Sequence, residues 1–517
     1  MSKNIVLCSD GTGNTAIKGR GTNVFRLYES IDLHGWTTDS SAPRQLAFYD
    51  DGVGTGGIKP VRLAAGAFGW GLSRNVKKLY AALARVYEPG DRIYLFGFSR
   101  GAFTVRTLAG MIAECGVISH AKCETPDRLR AAVERAYELH RQHYRTRLQK
   151  WMGRGRTRPG AAQLASGATE NTAVQRFRQA HTVDEPTTIE FMGVWDTVDA
   201  VGLPFEGASR FWNEYIYCYK FPDYMLSPKV KRAAHALAID DERRSFHPLL
   251  WDEREETHDR IEQVWFSGAH SNVGGGYPKQ GVSIVALDWM LRRAERAGLR
   301  FLESDREYYR EHANIHDQLY DSRAGLGMYY RYRPRDIEAT CRANGVKPRV
   351  HISAVERASL ATQDYAPGNM PLAAEVVLSD PAMPGAGTLR DWLEPKEMVA
   401  AHLLDRAKGP IRARCWTHAL LIFTTLLVVG LGLPEASSVG SFFGNLAGVA
   451  TPSGVWQLLQ NLILQWFGLP LVLPGLVWFA ARLATRRMQN TFASWWYPRR
   501  KNLQLELERL RDQPVEV

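Results

Sequence analysis

Short apolar runs alternate with helix-like segments along the N-terminal part of the chain. Five of these runs predict β-strands, and most are followed by glycine, serine or aspartate: residues 4–9, 44–50, 92–97, 188–195 and 261–267. Residues 75–87 and 282–297 repeat apolar side chains at the helical period. A strand, a helix and a strand in this order form a right-handed parallel crossover, so the pattern predicts an α/β fold with a mostly parallel sheet.

Two segments interrupt this alternation. Residues 127–181 begin as a charged helix and continue into a basic, glycine-rich stretch, which indicates a flexible loop. Residues 205–256 are rich in aromatic residues, and we interpret them as a cap or lid over a site. We therefore expect one domain over residues 1–400 that carries both segments as helical cap insertions.

Residues 401–517 have a different pattern, with two long apolar segments at 416–433 and 455–481. A membrane-spanning helix needs about 20 apolar residues, so the two segments predict a helical membrane hairpin. Pro470 and Pro474 weaken the second span, because proline kinks or breaks a helix. The alternative is a buried helical hairpin in a large soluble core.

Basic residues lie before the first apolar segment and after the second one. Between Arg414 and Arg482 the only acidic or basic residue is Glu435. The flanking residues include Lys408, Arg412 and Arg414 before the pair, and Arg482, Arg486 and Arg487 after it. By the positive-inside rule, both ends of the hairpin are expected in the cytoplasm.

Charge and composition narrow the class of partner. The 517 residues carry a formal net charge of +11, which draws a protein to anionic surfaces such as phospholipid or nucleic acid. No nucleic-acid-binding motif is present, so we expect a phospholipid membrane as partner and no nucleic acid. The 6 cysteines lack zinc-site spacing, which is typical of a reducing compartment, and no secretory signal peptide is expected.

The motif Gly97-Phe98-Ser99-Arg100-Gly101 follows a predicted strand and opens a helix-like segment at 100–115. This context is that of the nucleophile elbow of α/β-hydrolases, where a strained turn presents a serine at the carboxyl edge of the sheet. The glycines leave room beside the serine. The alternative is an ordinary strand-to-helix turn.

A serine nucleophile needs a base and an acid, which follow it in that fold in the order Ser, Asp, His. Asp196 comes directly after one predicted strand, and His270 follows another. Parallel strands bring both loops to the edge that carries Ser99, so these three residues are the predicted catalytic triad. Asp199 is the nearest rival acid, and His247 is the nearest rival base.

An oxyanion hole needs two N–H donors. We nominate the backbone of Arg100 for one, and Gly11 and Thr12, in the loop after the first strand, for the other. Asp10 is expected to hold that loop by accepting N–H bonds rather than to act chemically. The same loop lacks the G-x-G-x-x-G pattern and the Walker lysine, so no nucleotide cofactor is expected.

Six sequence blocks resemble the DUF2235 family of α/β-hydrolases over residues 1–360, a family that includes the catalytic domain of the Tle1 phospholipase effectors of bacterial type VI secretion. They are SDGTGNT, YDDGVGTGG, GFSRGAFTVRTLAGMI, FMGVWDTVDAVG, HALAIDDERRSFHPLLW and FSGAHSNVGGGYP. The resemblance implies that Ser99 is the nucleophile, Asp196 the acid and His270 the base. Asn272 departs from the family block, which usually has aspartate there.

The resemblance implies a phospholipase of A1 or A2 type that needs no cofactor and no metal. The resemblance alone does not make this protein a secreted toxin, so a cognate immunity or secretion partner and export as an effector are kept as options. The hairpin predicts the bacterial inner membrane with the catalytic domain in the cytoplasm. Two alternatives stay open. One is a thioesterase or small-ester hydrolase with the same triad, and the other is a membrane-anchored interaction or pore-forming protein with an inert hydrolase fold.

Overall fold

Eight strands in the described part of the chain form one sheet, in which every neighbouring pair is parallel. The sheet order is β2-β1-β3-β4-β5-β6-β7-β8. The strands are β1 (Asn4–Ser9), β2 (Gln45–Asp50), β3 (Arg92–Phe98), β4 (Ile189–Trp195), β5 (Val230–Ala238), β6 (Ile261–Phe266), β7 (Arg349–His351) and β8 (Glu375–Val377). The predicted α/β class and mostly parallel sheet are confirmed.

The computed structural model describes most of the chain. The described residues are 2–11, 21–52, 67–142, 172–199, 224–256, 259–380, 386–393, 403–433, 445, 448–449, 451–466 and 468–512. The predicted basic loop within 127–181 falls largely outside these ranges, as do residues 205–223 of the predicted lid and most of the segment that joins the two predicted spans.

Helices cover both faces of the sheet. In chain order they are α1 (Asn23–Glu29), α2 (Ala67–Val86), α3 (Arg100–Cys115), α4 (Pro126–Arg141), α5 (Thr172–His181), α6 (His270–Gly274), α7 (Gly281–Arg296), α8 (Glu303–His312), α9 (Ile337–Ala343), α10 (Ile352–Ser359), α11 (Leu403–Arg406), α12 (Lys408–Gly432), α13 (Pro452–Trp466), α14 (Leu469–Trp496) and α15 (Arg500–Arg511). Side chains of α2 to α5 form one core with β1, β3 and β4, and those of α1, α7 and α8 form a second core on the opposite face. Buried on both sides, β1, β3 and β4 are almost wholly apolar, as expected for a parallel sheet.

The predicted insertions are part of the layered fold where the structure describes them. Helices α4 and α5, at the two ends of 127–181, pack in the first core against α3. The interpretation of residues 205–256 as a lid is wrong for 230–238, which form β5 between β4 and β6. The sequence VKRAAHALA does not predict a strand, because alanine, lysine and arginine have low strand propensity. Burial between β4 and β6 overrides this propensity.

The predicted membrane hairpin of two spans in the C-terminal apolar region is not confirmed. Among the described helices, only α12 is long and apolar enough to cross a membrane by length and composition, with a mean hydropathy of 1.8. The second predicted span, 455–481, is divided between α13 and α14, which meet at Gly468 with φ 71°. Pro470 lies in the first turn of α14, where proline is tolerated because no intrahelical N–H bond is lost, so it starts a helix there.

A third core joins the C-terminal helices to the sheet across the predicted boundary at 400. The end of α14 contributes Met488, Phe492, Trp495 and Trp496 to it, beside side chains of β7, β8 and α10. The Trp496 ring is fully buried, and its Nε1–H donates to the carbonyl oxygen of Pro367 at 2.9 Å. The last helices are therefore part of the α/β unit rather than a detached tail.

Replacement of Trp496 by alanine tests this packing. We expect W496A to lose about 3–5 kcal/mol of unfolding free energy, because the change removes a fully buried ring and leaves a cavity. Thermal unfolding in detergent is the measurement, and W416A is the control because that ring, on α12, is 72% exposed. Equal midpoints for W496A and the wild type would contradict the third core.

Candidate active site

Ser99 lies in a strained turn between β3 and α3. Its backbone has φ 58° and ψ −120°, a conformation that is unfavourable for a residue with a Cβ atom. Gly101 is required because an added Cβ would lie 2.0 Å from the carbonyl oxygen of Ser9. At Gly97 an added Cβ would lie 2.6 Å from the carbonyl oxygen of Gly101. The two glycines let α3 begin directly against β1, and this turn is the predicted elbow.

The structure brings together the three residues of the predicted triad. His270 Nε2 lies 2.7 Å from Ser99 Oγ, and His270 Nδ1 lies 2.5 Å from Asp196 Oδ2. Ser99, Asp196 and His270 follow β3, β4 and β6, whose carboxyl ends share one edge of the sheet. All three side chains are buried in this arrangement. Their hydrogen bonds form a route for a proton from the hydroxyl to the imidazole.

The rival residues occupy other places. His247 Nε2 contacts the carbonyl oxygen of Arg333 at 3.1 Å, so its ring is engaged away from Ser99. Asp199 is half-buried three residues after Asp196, and burial, followed by the charge of Asp199, raises the pKa of Tyr224. The carboxylate on His270 is that of Asp196.

Arg335 is a residue of the candidate site that the sequence analysis missed. Its guanidinium donates to both carboxylate oxygens of Asp196, from Nη1 to Oδ1 at 2.7 Å and from Nη2 to Oδ2 at 2.8 Å. Both side chains are buried, and Arg335 also donates to the carbonyl oxygens of Ala238 and Phe246. No sequence signal distinguishes this arginine from its neighbours, because it lies far along the chain from Asp196 and outside any motif.

Burial and ion pairing set the protonation of the pair. Burial alone raises the pKa of Asp196, but the charge and hydrogen bonds of Arg335, followed by those of His270, hold that pKa well below its usual range. Burial lowers the pKa of His270 from its ordinary 6.5, and the hydrogen bond that His270 donates to Asp196 only partly opposes this. At neutral pH the site therefore holds an ionised carboxylate beside a neutral imidazole, which is the state a general base needs.

Residues in the loop after β5 also support the His270 imidazole. Asp241 accepts the backbone N–H of His270 at 3.2 Å and pairs with the Arg243 guanidinium. The Arg243 guanidinium carbon lies 3.5 Å from the centroid of the Phe246 ring, and that ring packs edge-on against His270. The ring of His270 also lies against Phe98 of β3. These contacts fix the ring orientation that the two hydrogen bonds require.

Of the nominated oxyanion donors, Arg100 directly follows Ser99 in the chain, and the backbone N–H of Gly11 already donates to a side chain. Arg100 is the first residue of α3, where helix N–H groups lack intrahelical acceptors. The Gly11 N–H donates to Asp10 Oδ1 at 2.6 Å, and Asp10 Oδ2 accepts from Thr22 Oγ1 and the Tyr49 hydroxyl. Asp10 thus holds the loop after β1, as predicted. Thr12 lies outside the described residues.

Asn272 has a structural role beside the site. Its Oδ1 accepts from the backbone N–H groups of Ala269 and Tyr320, and its Nδ2 donates to the carbonyl oxygen of Gln318 at 3.3 Å. An aspartate at this position keeps the acceptor but has no group to donate to Gln318. The amide therefore ties the His270 loop to residues 318–320.

A family model for the catalytic domain of Tle1-like phospholipase effectors of type VI secretion matches residues 3–293, more than half of the chain. The chain belongs to this Tle1-like family. The predicted membership is thereby confirmed, and it implies a phospholipid-ester hydrolase. Effectors of this kind generally have cognate immunity proteins and act on lipid membranes. For this chain, export, membrane targeting and placement in the bacterial inner membrane stay predictions.

Two other proteins show more distant similarity. An uncharacterized protein of Saccharomyces cerevisiae is 29% identical over 262 residues, which are 48% of this chain and 33% of the yeast protein. The crystal structure of an uncharacterized protein from Pseudomonas aeruginosa aligns with 90% of this chain and 62% of its own, at 16% identity and a TM-score of 0.33. The chain thus spans about a third of the yeast protein's length and less than two thirds of the bacterial one's.

Replacement of Arg335 by methionine tests its hold on Asp196. Without the Arg335 cation, the negative charge of Asp196 is no longer offset and stabilises the imidazolium of His270 more strongly. The pKa of His270 therefore rises, and its neutral form is lost at a higher pH. We expect the acid limb of kcat/KM for phospholipid hydrolysis to move to higher pH, and the unfolding free energy to fall by about 3–5 kcal/mol because a buried charge loses its partner.

The matched variant R335K keeps the charge but not the two-pronged hydrogen bond. Its acid limb should lie between those of R335M and the wild type. A folded R335M whose pH profile overlays that of the wild type would show that Arg335 does not act on His270.

Proposed function

We propose that this chain is a membrane-associated serine phospholipase of A type, which hydrolyses an acyl ester of glycerophospholipids through Ser99, His270 and Asp196. The observation that carries the proposal is the continuous hydrogen-bonded chain from Ser99 Oγ through His270 to Asp196, in a member of a phospholipase family. The strain at Ser99 supports it, because a non-glycine residue with positive φ at a strand-to-helix turn is typical of a nucleophile elbow.

The proposed first step forms a covalent ester on Ser99. As Ser99 Oγ attacks the acyl carbonyl carbon, His270 Nε2 takes the hydroxyl proton, and Asp196 stabilises the resulting imidazolium. The tetrahedral intermediate collapses, the bond to the glycerol oxygen breaks, and His270 returns its proton to that oxygen. The lysophospholipid leaves, and the acyl group stays on Ser99.

The second step repeats the chemistry with water. His270 takes a proton from a water molecule as its oxygen attacks the acyl-enzyme, and then protonates Ser99 Oγ as the fatty acid leaves. The Arg100 N–H is the proposed first oxyanion donor, and the loop after Asp10 is the proposed source of the second. Each such donor contributes about 3 kcal/mol to the transition state.

The C-terminal helices supply the proposed contact with the bilayer. Large apolar side chains on α12 and α14 face solvent instead of a core, including Trp416, Phe423, Leu426, Leu476 and Phe479. Exposed apolar area of this extent marks a membrane or partner surface, and the basic residues in the N-terminal part of α12 and the C-terminal half of α14 favour an anionic bilayer. In this proposal α12 inserts and the catalytic domain stays at the surface.

Replacement of Ser99 by alanine is the direct test of the nucleophile. We expect S99A to release fatty acid from phospholipid vesicles at least about 10³-fold more slowly, because the acyl-enzyme is not formed. The control S41A removes an exposed hydroxyl from a distant loop and should keep full activity. Mass spectrometry of the lysophospholipid identifies the acyl position, and equal rates for S99A and S41A would end the proposal.

The pH dependence tests the base. His270 acts only when neutral, and its pKa lies below 6.5 because burial disfavours the imidazolium. We expect kcat/KM to rise with pH through a single acid limb below 6.5 and then to stay level through neutral pH. Stopped assays on vesicles across this range measure the limb. A limb above the ordinary histidine pKa would contradict the buried, neutral base.

A further inference from the structure

A cavity with four arginine side chains lies between the C-terminal helices and the catalytic domain. It has a volume of about 440 Å³ and is bounded by α12, α14 and residues 321–328. Arg414 of α12, Arg482 and Arg486 of α14, and Arg323 line it together, and Asp321 is the carboxylate in its wall. The cavity is separate from Ser99 and takes no part in the proposed hydrolysis.

The arginines of this cavity form no salt bridge with a carboxylate among the described residues. None of the four has a described carboxylate oxygen within 4.0 Å of its guanidinium nitrogens, a spacing that many other arginines of the chain do have. The Nε atoms of Arg323 and Arg414 are buried without a hydrogen-bond partner. Arg323 is 94% buried, since 6% of it is exposed, and its Nη2 donates to the carbonyl oxygens of Met328 and Tyr330. A buried guanidinium with an unused donor calls for an acceptor.

Positive charges also crowd one another at this place. The guanidinium carbons of Arg323 and Arg414 each lie 4.9 Å from the centroid of the Tyr332 ring. Burial lowers the pKa of Arg323, and the charge of Arg414 lowers it further. Glu242 accepts from the Tyr332 hydroxyl, but burial raises the pKa of Glu242 to about 7 against the lowering effect of both arginines. Asp321 and a partly protonated Glu242 therefore leave the cavity with net positive charge.

The cavity lies where the apolar surface of the C-terminal helices ends. Along α14, Leu476 and Phe479 are exposed apolar residues, and Arg482 and Arg486 follow within two turns. On α12, Arg414 precedes the exposed ring of Trp416 and the apolar positions beyond it. In a helix that enters a bilayer, this change from cationic to apolar side chains coincides with the level of the lipid phosphates.

We propose that this cavity binds the phosphate of an anionic membrane-lipid headgroup. Guanidinium groups match phosphate oxygens with paired hydrogen bonds, and basic pockets between membrane helices suit such headgroups. The volume accommodates a phosphoglycerol group, and the acyl chains would lie along the exposed apolar faces of α12 and α14. The proposal rests on the membrane part of the proposed function and is independent of the triad.

The test compares two double variants that remove equal charge. R482Q/R486Q changes two arginines that line the cavity, whereas R412Q/R487Q changes two arginines of the same helices that do not; all four are exposed. Both are made in full-length S99A, so that the probe lipid is not consumed. Binding of short-chain phosphatidylglycerol to the protein in neutral detergent is measured by native mass spectrometry and by the rise in unfolding temperature.

We expect R482Q/R486Q to weaken phosphatidylglycerol binding about tenfold or more, because each guanidinium–phosphate hydrogen bond is charge-assisted, and R412Q/R487Q to retain wild-type binding. Equal weakening in both variants would show diffuse surface electrostatics and would overturn the proposal. Wild-type binding by R482Q/R486Q would overturn it as well.

Inorganic phosphate separates the two sources of the anion. If phosphate alone raises the unfolding temperature of S99A as much as phosphatidylglycerol does, and R482Q/R486Q abolishes both effects, the cavity binds free phosphate and the lipid assignment is wrong. A larger effect of the lipid supports the assignment. Phospholipid hydrolysis is measured separately with protein that retains Ser99. Failure of the triad proposal then appears as missing hydrolysis, whereas failure of the cavity proposal appears as unchanged lipid binding in R482Q/R486Q.

Discussion

The ionised carboxylate of Asp196 is the constraint on which the site depends. It is fully buried, and a buried charge is tolerated only when it is paired and hydrogen-bonded. Arg335 supplies the pair, the backbone N–H of Ala238 donates a further bond, and His270 takes the remaining position. The backbone of Asp196 is also strained, with φ 38°. Its N–H donates to the carbonyl oxygen of Ala236 on β5, and this bond holds the strained conformation. Four separate parts of the chain must therefore be folded together before this carboxylate is stable.

The parallel sheet makes such convergence possible. The chain starts at β1, crosses to β2 at the edge, and returns to β3 on the other side of β1. The order of strands reverses at this point, and loops on either side leave a crevice at the carboxyl ends. Ser99 and Asp10 face this crevice from adjacent strands, and the loops after β4, β5 and β6 add Asp196, Asp241 and His270. Strain at Ser99 is maintained because Gly97 and Gly101 let the backbone of α3 press against β1.

The sequence carries the parts of the site that follow directly from strands. Ser99, Asp196 and His270 each come next after an apolar run, or close to it, so their shared edge follows from the parallel crossover alone. Arg335 could not be found in this way, because its position depends on how a loop beyond α8 returns to β4. The alanine-rich β5 and the three-residue β7 and β8 carry too little apolar periodicity to be recognised. The break between α13 and α14 at Gly468 could not be predicted either, since a continuous apolar run does not reveal where one helix ends and the next begins.

Labelling with a fluorophosphonate tests most directly whether the buried carboxylate activates Ser99 through His270. The wild-type chain should form a single adduct that peptide mass spectrometry assigns to Ser99, and both H270N and D196N should form it far more slowly while staying folded. An adduct on another serine, or labelling of Ser99 at the wild-type rate in both variants, would contradict the account.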